Sequence, residues 1–518
     1  MPLKTPPVQY DLIRLSGGLD QVTPTLSLPP GVARRAVNFE CSITGGYTRI
    51  AGYERFDGRP NPSDAVYTAL NCVLTGTVVV GNTISGQTSL ATGKVIAIDG
   101  SRLIITRLVG SFQNGEVLKV GAVTVGTLTL LEGVVADGLD DATYKSLAAN
   151  DYRADILAVP GEGAIRGVAY YNGITYAWRN AVGGLTANIY KSSATGWQLV
   201  TLPKQISFTT GTAVIPEGTT ITGALSGATA VVARAVLETG SYTAGTAAGR
   251  LILTSVVGTF QNPENIQVAA VTKAVSSSLV TQITLNPNGH VESTIANFGG
   301  GISNYRLYGC DGVNNAFEFD GTTYVPIRTG MATDTPRHIA FHKQHLFLSF
   351  GASLQFSALG LPYQWVPLLG AGELAMNGII TNIIVLPGDQ TSGALGIYTR
   401  NDTSILYGTD SASFSLSTFN TGTGAIEHTA QNMDSAYVLD DRGIMSLGTA
   451  LNFGNFLPAS LTMNIRPFVQ QRRNLAIASL VNREKGQYRV FFSDNTALYM
   501  TILNLSLIHI SEPTRRYA

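Results

Sequence analysis

Between His338 and Trp365 the chain reads HIAFHKQHLFLSFGASLQFSALGLPYQW, and this run limits the possible folds more than any other. IAFHKQ and LFLSF form two short strands, Gly351 breaks the pattern, and LQFSA follows as a third before a loop that ends in Leu-Pro and Trp365. Apolar and polar residues alternating over four to eight positions, interrupted by glycine, predict half-buried antiparallel strands. Similar units recur at 165–180 with 187–200, 306–327, 382–409, 436–449 and 478–503, with no helical period between them. About six such units predict an all-β chain built on a β-propeller scaffold, in which ring closure lets each blade protect its neighbours' edges.

A second kind of repetition is inserted into the first. RLIITRLVGSFQNGEVLKVGAV (102–123) and RLILTSVVGTFQNPENIQVAAV (250–271) align without a gap and agree at 13 of 22 positions. A glycine-rich piece precedes each, ISGQTSLATGKVIAI (84–98) and ITGALSGATAVVARA (221–235). The spacing predicts two inserted repeat modules, each a small β-barrel or sandwich. Phe112 and Phe260 are expected to plug their cores, and Gly110 and Gly258 to occupy bulges or turns of unusual φ. Asn114-Gly115 and Asn262-Pro263 are turn signals.

Charge narrows the function classes. Lys+Arg and Asp+Glu both number 34, so the formal net charge is zero, which argues against dedicated nucleic-acid binding but not against a neutral channel that DNA passes through. Charged residues make up only 13% of the chain, a surface suited to being covered in an assembly. Cys41, Cys72 and Cys310 are too few and too scattered for a disulfide framework or a CxxC metal pair, so buried thiols and a reducing site of synthesis are expected. The N-terminus lacks the apolar core of a signal peptide, and no run approaches the length of a membrane span.

GGLDQVTPTLSLPPGVARRAVNFECSITGGYTRIAGYERFDGRP, beginning at Gly17, resembles the N-terminal region of the tail nozzle proteins of short-tailed bacteriophages, also called tail tubular protein B or stabilisation protein. HLFLS, GAGE, LDDRG, NFGNF (452–456) and QYRVFFSD (487–494) extend the resemblance through residues 300–500. It implies a structural virion protein, made in the host cytoplasm and resident in the tail. Its subunits would form a homo-oligomeric ring, a hexamer, that continues the DNA channel below a tail adaptor or portal-proximal protein and gates ejection. DNA would pass without specific binding, and the ring could touch the host cell envelope. The resemblance also makes Glu373 of the GAGE phrase a subunit contact. It implies no enzyme activity, no cofactor and no catalytic or metal-binding residue.

The side chains agree with that expectation. His338, His342 and His345 cluster in sequence, but on strands the first two point one way and the third the other, so they converge only if a turn intervenes. A helical zinc-protease motif needs Glu after the first His, where Ile339 stands. Asp440 and Asp441 are neighbours rather than a facing acid pair, and Arg442 is expected to take one of them as a salt bridge. Asp137, Asp140 and Asp141 lack EF-hand spacing and are expected in a linker. GxSxG and phosphate-loop motifs do not occur, and GGG at 299–301 is expected to be a flexible joint.

The expected division is 1–68, an N-terminal extended region joining the propeller; 69–135 and 204–285, the two β-modules; 136–203, a blade region; and 286–504, the remaining blades. SLIHISEPTR within 505–518 looks like a translated sequencing adaptor, a non-native tail that would leave the last blade without its closing strand. Two other classes compete with the nozzle: a tail-associated host-surface or glycan-binding adaptor, favoured if Trp178, Trp197 and Trp365 cluster at blade tops, and a propeller hydrolase, which needs converging carboxylates or metal ligands.

Overall fold

The computed structural model describes residues 17–42, 46–301, 304–386, 393–433, 435–447 and 460–502, with the backbone of 508–511. The extended piece at 8–15, NFGNF and most of the tail lie outside the described residues. Alternating strands and tight turns assemble six antiparallel sheets in a propeller arrangement. Blade 1 comprises Glu162–Tyr171, Ile174–Asn180, Ala187–Lys191 and Gln198–Leu199. Blade 2 comprises Glu292–Ala296, Arg306–Cys310, Ala316–Phe319 and Tyr324–Ile327. Blade 3 comprises Ile339–His342, His345–Phe350, Ser353–Phe356 and Gly372–Ala375.

Blade 4 is built from Ile380–Val385, Leu395–Thr399, Asp402–Tyr407 and Ser415–Thr421. Blade 5 has Gln431–Asn432, Ala436–Asp440 and Gly443–Ser446 among the described residues. Blade 6 has Ala476–Asn482, Gln487–Phe492 and Ala497–Thr501, and Ile508–Ser511 pairs as its fourth strand. That fourth strand is drawn from the adaptor-like tail. A three-strand blade would leave a row of unpaired backbone groups on Ala497–Thr501, and the next extended segment satisfies them. The first strands of successive blades lie side by side and form the inner wall of the propeller.

The two modules share one strand order: the first is a closed six-stranded barrel, and the second closes the same six strands and adds a seventh, Thr281–Gln282, beside Lys204 and Gln205. In each, the first strand pairs with the fourth, then come the third, second, fifth and sixth, and the sixth returns to the first. The first barrel runs from Tyr67–Leu74 to Val123–Gly133 and the second from Lys204–Gly211 to Val271–Ser276. Phe112 and Phe260 are buried in the respective cores. Gly110 (φ +78°) and Gly258 (φ +79°) turn left-handed beside Ala91 and Ala228, where a Cβ would stand 3.2 Å from the neighbour's Cα.

An unanticipated feature unites the barrels. Glu116 accepts hydrogen bonds from the amides of Gln113 (2.7 Å), Thr88 (3.1 Å) and Ser89 (3.0 Å), and from Ser89 Oγ (2.8 Å). Glu264, at the aligned position, does the same with Gln261 (2.6 Å), Leu225 (3.1 Å), Ser226 (3.0 Å) and Ser226 Oγ (2.9 Å). Each buried carboxylate latches the turn after the second strand to the turn before the fifth. Burial alone would raise both carboxyls, but the converging amide donors outweigh it and hold them below the usual carboxylate range.

Residues 138–155 depart from the sequence reading. They form an 18-residue helix, Gly138–Asp155, inside the segment expected to be blade material. Asp137 caps its first turn by accepting from the amides of Leu139 (2.9 Å) and Asp140 (3.1 Å). Tyr144 and Ala148 then pack on Tyr67, Ala69, Ile96 and Ile104 of the first barrel. The second barrel is seated on blades 1 and 2, with Val236 and Ile252 joining Trp178, Phe317, Phe319 and Tyr324 in one core. Across that seam Arg234 pairs with Glu318 and with Asp320 (3.1 Å), and fully buried Arg250 donates to the Pro326 carbonyl (2.6 Å).

The N-terminal phrase connects blade 6 to blade 1. Glu40 pairs with Lys485 and Arg489, Cys41 O accepts from Thr501 Oγ1 (3.2 Å), and Ile50 packs on Ala497 and Tyr499. The chain then reaches blade 1, where Phe56 meets Trp197 edge-on at 6.2 Å. Asp57 is fully buried and accepts from Arg59 Nη1 (2.5 Å) and the Leu157 amide (3.1 Å), while its carbonyl accepts from Ser193 N (3.3 Å). Gly58 is left-handed (φ +94°), and a Cβ there would lie 2.5 Å from Ser193 N.

Replacing Gly58 with Ala is expected to destabilise the propeller by at least about 2 kcal/mol, from the left-handed φ and the clash together; chemical denaturation would measure it. Faster amide exchange in blade 6 and the 39–59 segment than in the second barrel would locate the damage at the seam. The latch carboxyls have depressed folded pKa values, so their stabilisation is complete above the unfolded value near about 4.3 and is lost as pH falls through the folded value. Glu116→Gln and Glu264→Gln should each cost about 2 kcal/mol at neutral pH. They should also flatten the fall in melting temperature on acidification below that range.

Candidate functional site

Residues at the starts of the inner strands of blades 2, 3 and 5 converge on one cluster. Glu292 opens the inner strand of blade 2, and His338 directly precedes that of blade 3. Glu427 and His428 lie just before the inner strand of blade 5. His338 Nδ1 stands 3.1 Å from Glu292 Oε1 and 3.0 Å from Oε2, and His428 Nδ1 stands 2.6 Å from Oε1. On their far sides, His338 Nε2 is 3.6 Å and His428 Nε2 3.9 Å from Glu427 Oε1. Arg337 holds that carboxylate at 2.9 Å. His290 stacks on His428 with ring centroids 3.7 Å apart.

The electrostatics follow from that packing. Burial alone would raise the Glu292 carboxyl, but the His338 and His428 imidazoles outweigh it and lower it to about 2. Burial, with His428 beside it, drops His290 to about 4, so the stacked ring is neutral near pH 7. His428 has φ +61°, a left-handed conformation uncommon outside glycine that asparagine, aspartate and histidine adopt more readily than other residues, and its loop is clamped in place. Buried Asn382 accepts from the amides of Thr429 (3.1 Å) and Ala430 (3.2 Å) and donates to the Ile426 carbonyl (2.8 Å). Ser479 Oγ donates to the His428 carbonyl (2.9 Å). Two imidazoles and two carboxylates are thereby presented together.

Of the histidines singled out in sequence, only His338 belongs to this group. Lys343 (φ +49°) and Gln344 (φ +60°) make a two-residue hairpin turn, so IAFHKQ ends as a strand at His342. The turn sets His342 opposite His345 in register. Both are buried, and His345 Nδ1 donates to the Ser357 carbonyl at 2.6 Å. His290, Glu292 and His428 were missed because 46 residues separate Glu292 from His338 and 136 separate it from His428. No local spacing reports such a convergence. One sequence signal does exist, since His290 and His338 each lie one or two residues before an inner strand.

The other candidates have structural partners. Asp440 pairs with Arg442 (2.9 Å) as expected, while Asp441 faces away toward Arg400 (2.5 Å). Asp141 accepts from Tyr67 (2.9 Å) and Lys145 (2.7 Å), so with Asp137 capping the helix these acids serve the first barrel and are not in a linker. Glu373 is exposed, but it stands on the outer strand of blade 3 rather than in a loop and accepts from Ser353 Oγ (2.6 Å). Trp178, Trp197 and Trp365 pack into three different core clusters. The three cysteines are buried and unpaired, with burial pushing Cys72 up to about 11 and Cys41 up to about 12.

Burial, with Lys343 and His345 close by, lowers His342 to about 4. A buried base held neutral stabilises the fold above its unfolded pKa near about 6.5; as pH falls the unfolded chain takes the proton first, and stability declines until about pH 4. The loss is of order 3 kcal/mol in that window. Histidine proton resonances should show His342 unprotonated at pH 5, and His342→Gln should reduce the loss.

No protein-family model matches the chain, and no curated protein matches it. Among solved structures, a functionally unknown protein from Desulfotomaculum acetoxidans DSM 771 is 10% identical, with 67% of this chain and 89% of that chain covered at a TM-score of 0.25. BBS1N in complex with ARL6DN, soaked with mercury, is 10% identical over 56% of this chain and 92% of that chain at 0.22. The same complex soaked with lead is 11% identical over 73% and 95% at 0.23. Likeness at these scores carries no inference about what this chain binds or does.

Proposed function

We propose that the chain is a non-catalytic structural subunit of a ring, of the kind that forms the tail nozzle of short-tailed phages. Its place would be the virion tail, below an adaptor, with DNA passing through a lumen that does not bind it specifically. The observation that carries the reading is the role of the N-terminal phrase. Glu40 and Ile50 of that phrase rest on blade 6, and Asp57 and Gly58 of GYERFDG lock it onto blade 1, so the motifs behind the family resemblance occupy positions with a demanding physical job. A formal net charge of zero suits a conduit that must release DNA rather than retain it.

A subunit contact finds support at the edge of blade 3. Leu359, Leu361, Leu368 and Leu369 are exposed in the connection that leads to the strand bearing Glu373, and Leu368 is fully so. A cluster of solvent-facing leucines beside an outer strand suits burial against a second copy of the chain.

Negative-stain imaging of the purified protein tests the reading. Rings with a central hole are expected. A population made only of particles of one-chain size would overturn it. Leu368→Asp combined with Leu369→Asp should convert rings to single chains, seen by sedimentation velocity, while the circular dichroism spectrum stays unchanged.

A further inference from the structure

We propose that Glu292, His338 and His428 form a site for a zinc-like divalent transition-metal ion, which ties blades 2, 3 and 5 together where their inner strands begin. The inference is independent of the ring reading, since it concerns groups within a single chain. The donor atoms of these residues lie within 4.8 Å of one another. Ligands about 2.1 Å from a tetrahedral zinc are about 3.4 Å apart. Glu292 Oε1 is already 3.1 Å from His338 Nδ1 and 2.6 Å from His428 Nδ1, so small outward shifts would admit an ion between them.

A second observation points to a ligand. The His338 side chain is wholly buried, and its Nε2 has no hydrogen-bond partner among the described residues. That nitrogen faces Glu427 Oε1 at 3.6 Å, and His428 Nε2 faces the same oxygen at 3.9 Å. Metal-bound imidazoles commonly turn their outer N–H toward a carboxylate, which sets the tautomer and strengthens the ligand. Glu427, anchored by Arg337, stands where that partner belongs. With Nδ1 of both rings on the metal, both Nε2 atoms carry hydrogens directed at Glu427, and the unpaired nitrogen of His338 gains a role.

The remaining features fit a preformed site. Asn382 and Ser479 hold His428 in its left-handed conformation, and His290 stacks against its ring. Glu292 is 26% exposed and Glu427 32%, so solvent reaches the carboxylate side of the cluster. Two imidazoles with one carboxylate favour zinc, copper, nickel or iron over magnesium or calcium.

The test uses the full chain stripped with EDTA and titrated with Zn2+ by calorimetry, alongside Mg2+. One Zn2+ per chain with a rise in melting temperature is expected, and no response to Mg2+. Glu292→Gln preserves shape, and His428→Asn suits the left-handed backbone; each should weaken Zn2+ binding at least about a hundredfold, and Glu427→Gln about ten- to a hundredfold. Absence of Zn2+ uptake by the wild type would overturn the proposal, as would unchanged affinity in folded Glu292→Gln and His428→Asn. X-ray absorption of the Zn2+-loaded wild type needs no variant: imidazole scattering is expected, and a shell of oxygen or sulfur alone would refute the site.

Discussion

The propeller depends on how its two ends are joined. A ring of blades has no hydrogen-bonded continuity where the last sheet meets the first, and that seam must be closed by something else. Here the N-terminal segment does it, held on blade 6 by Glu40 with Lys485 and Arg489 and on blade 1 by Asp57 and Gly58. Asp57 is the critical group because a buried carboxylate without partners would be costly. Arg59 and the Leu157 amide meet it, and Arg59 also donates to the Thr195 carbonyl (2.7 Å) and that of Asp155. One short segment thus ties blade 6, blade 1 and the helix of the first barrel.

The barrels show how duplication preserves a mechanism while the surroundings diverge. Phe112 and Phe260, Gly110 and Gly258, and Glu116 and Glu264 have the same roles in both copies. The aligned arginines do not. Arg102 remains partly exposed and pairs with Glu132 (2.9 Å), whereas Arg250 is fully buried and reaches the backbone of blade 2. Buried charge tolerates little change on removal of a partner. The second barrel is therefore built into the propeller, and the first is attached through its own helix.

Legibility differed by length scale. The blade strands, the repeat and the Asp440–Arg442 pair were visible because each depends on neighbours within a few residues. The helix at 138–155 was readable in principle, since Asp137 caps it, Asp140 and Asp141 open its first turn and Arg153 stands in its last. Its apolar face is narrow, which hid the period. The Glu292 cluster was not readable, because His338 meets Glu292 and His428 only once blades 2, 3 and 5 have assembled.

By itself the sequence determined the repeating strands, the duplicated modules and the turns, because strand alternation and glycine or asparagine turns act through local sterics. It also determined the absence of net charge. The tertiary structure decided which polar and charged groups meet: Arg234 with Glu318, Asp57 with the Leu157 amide, and two imidazoles about Glu292. Blade order and ring closure bring these groups together across tens to hundreds of residues. Chain closure over such distances leaves no periodic trace in the residues it joins.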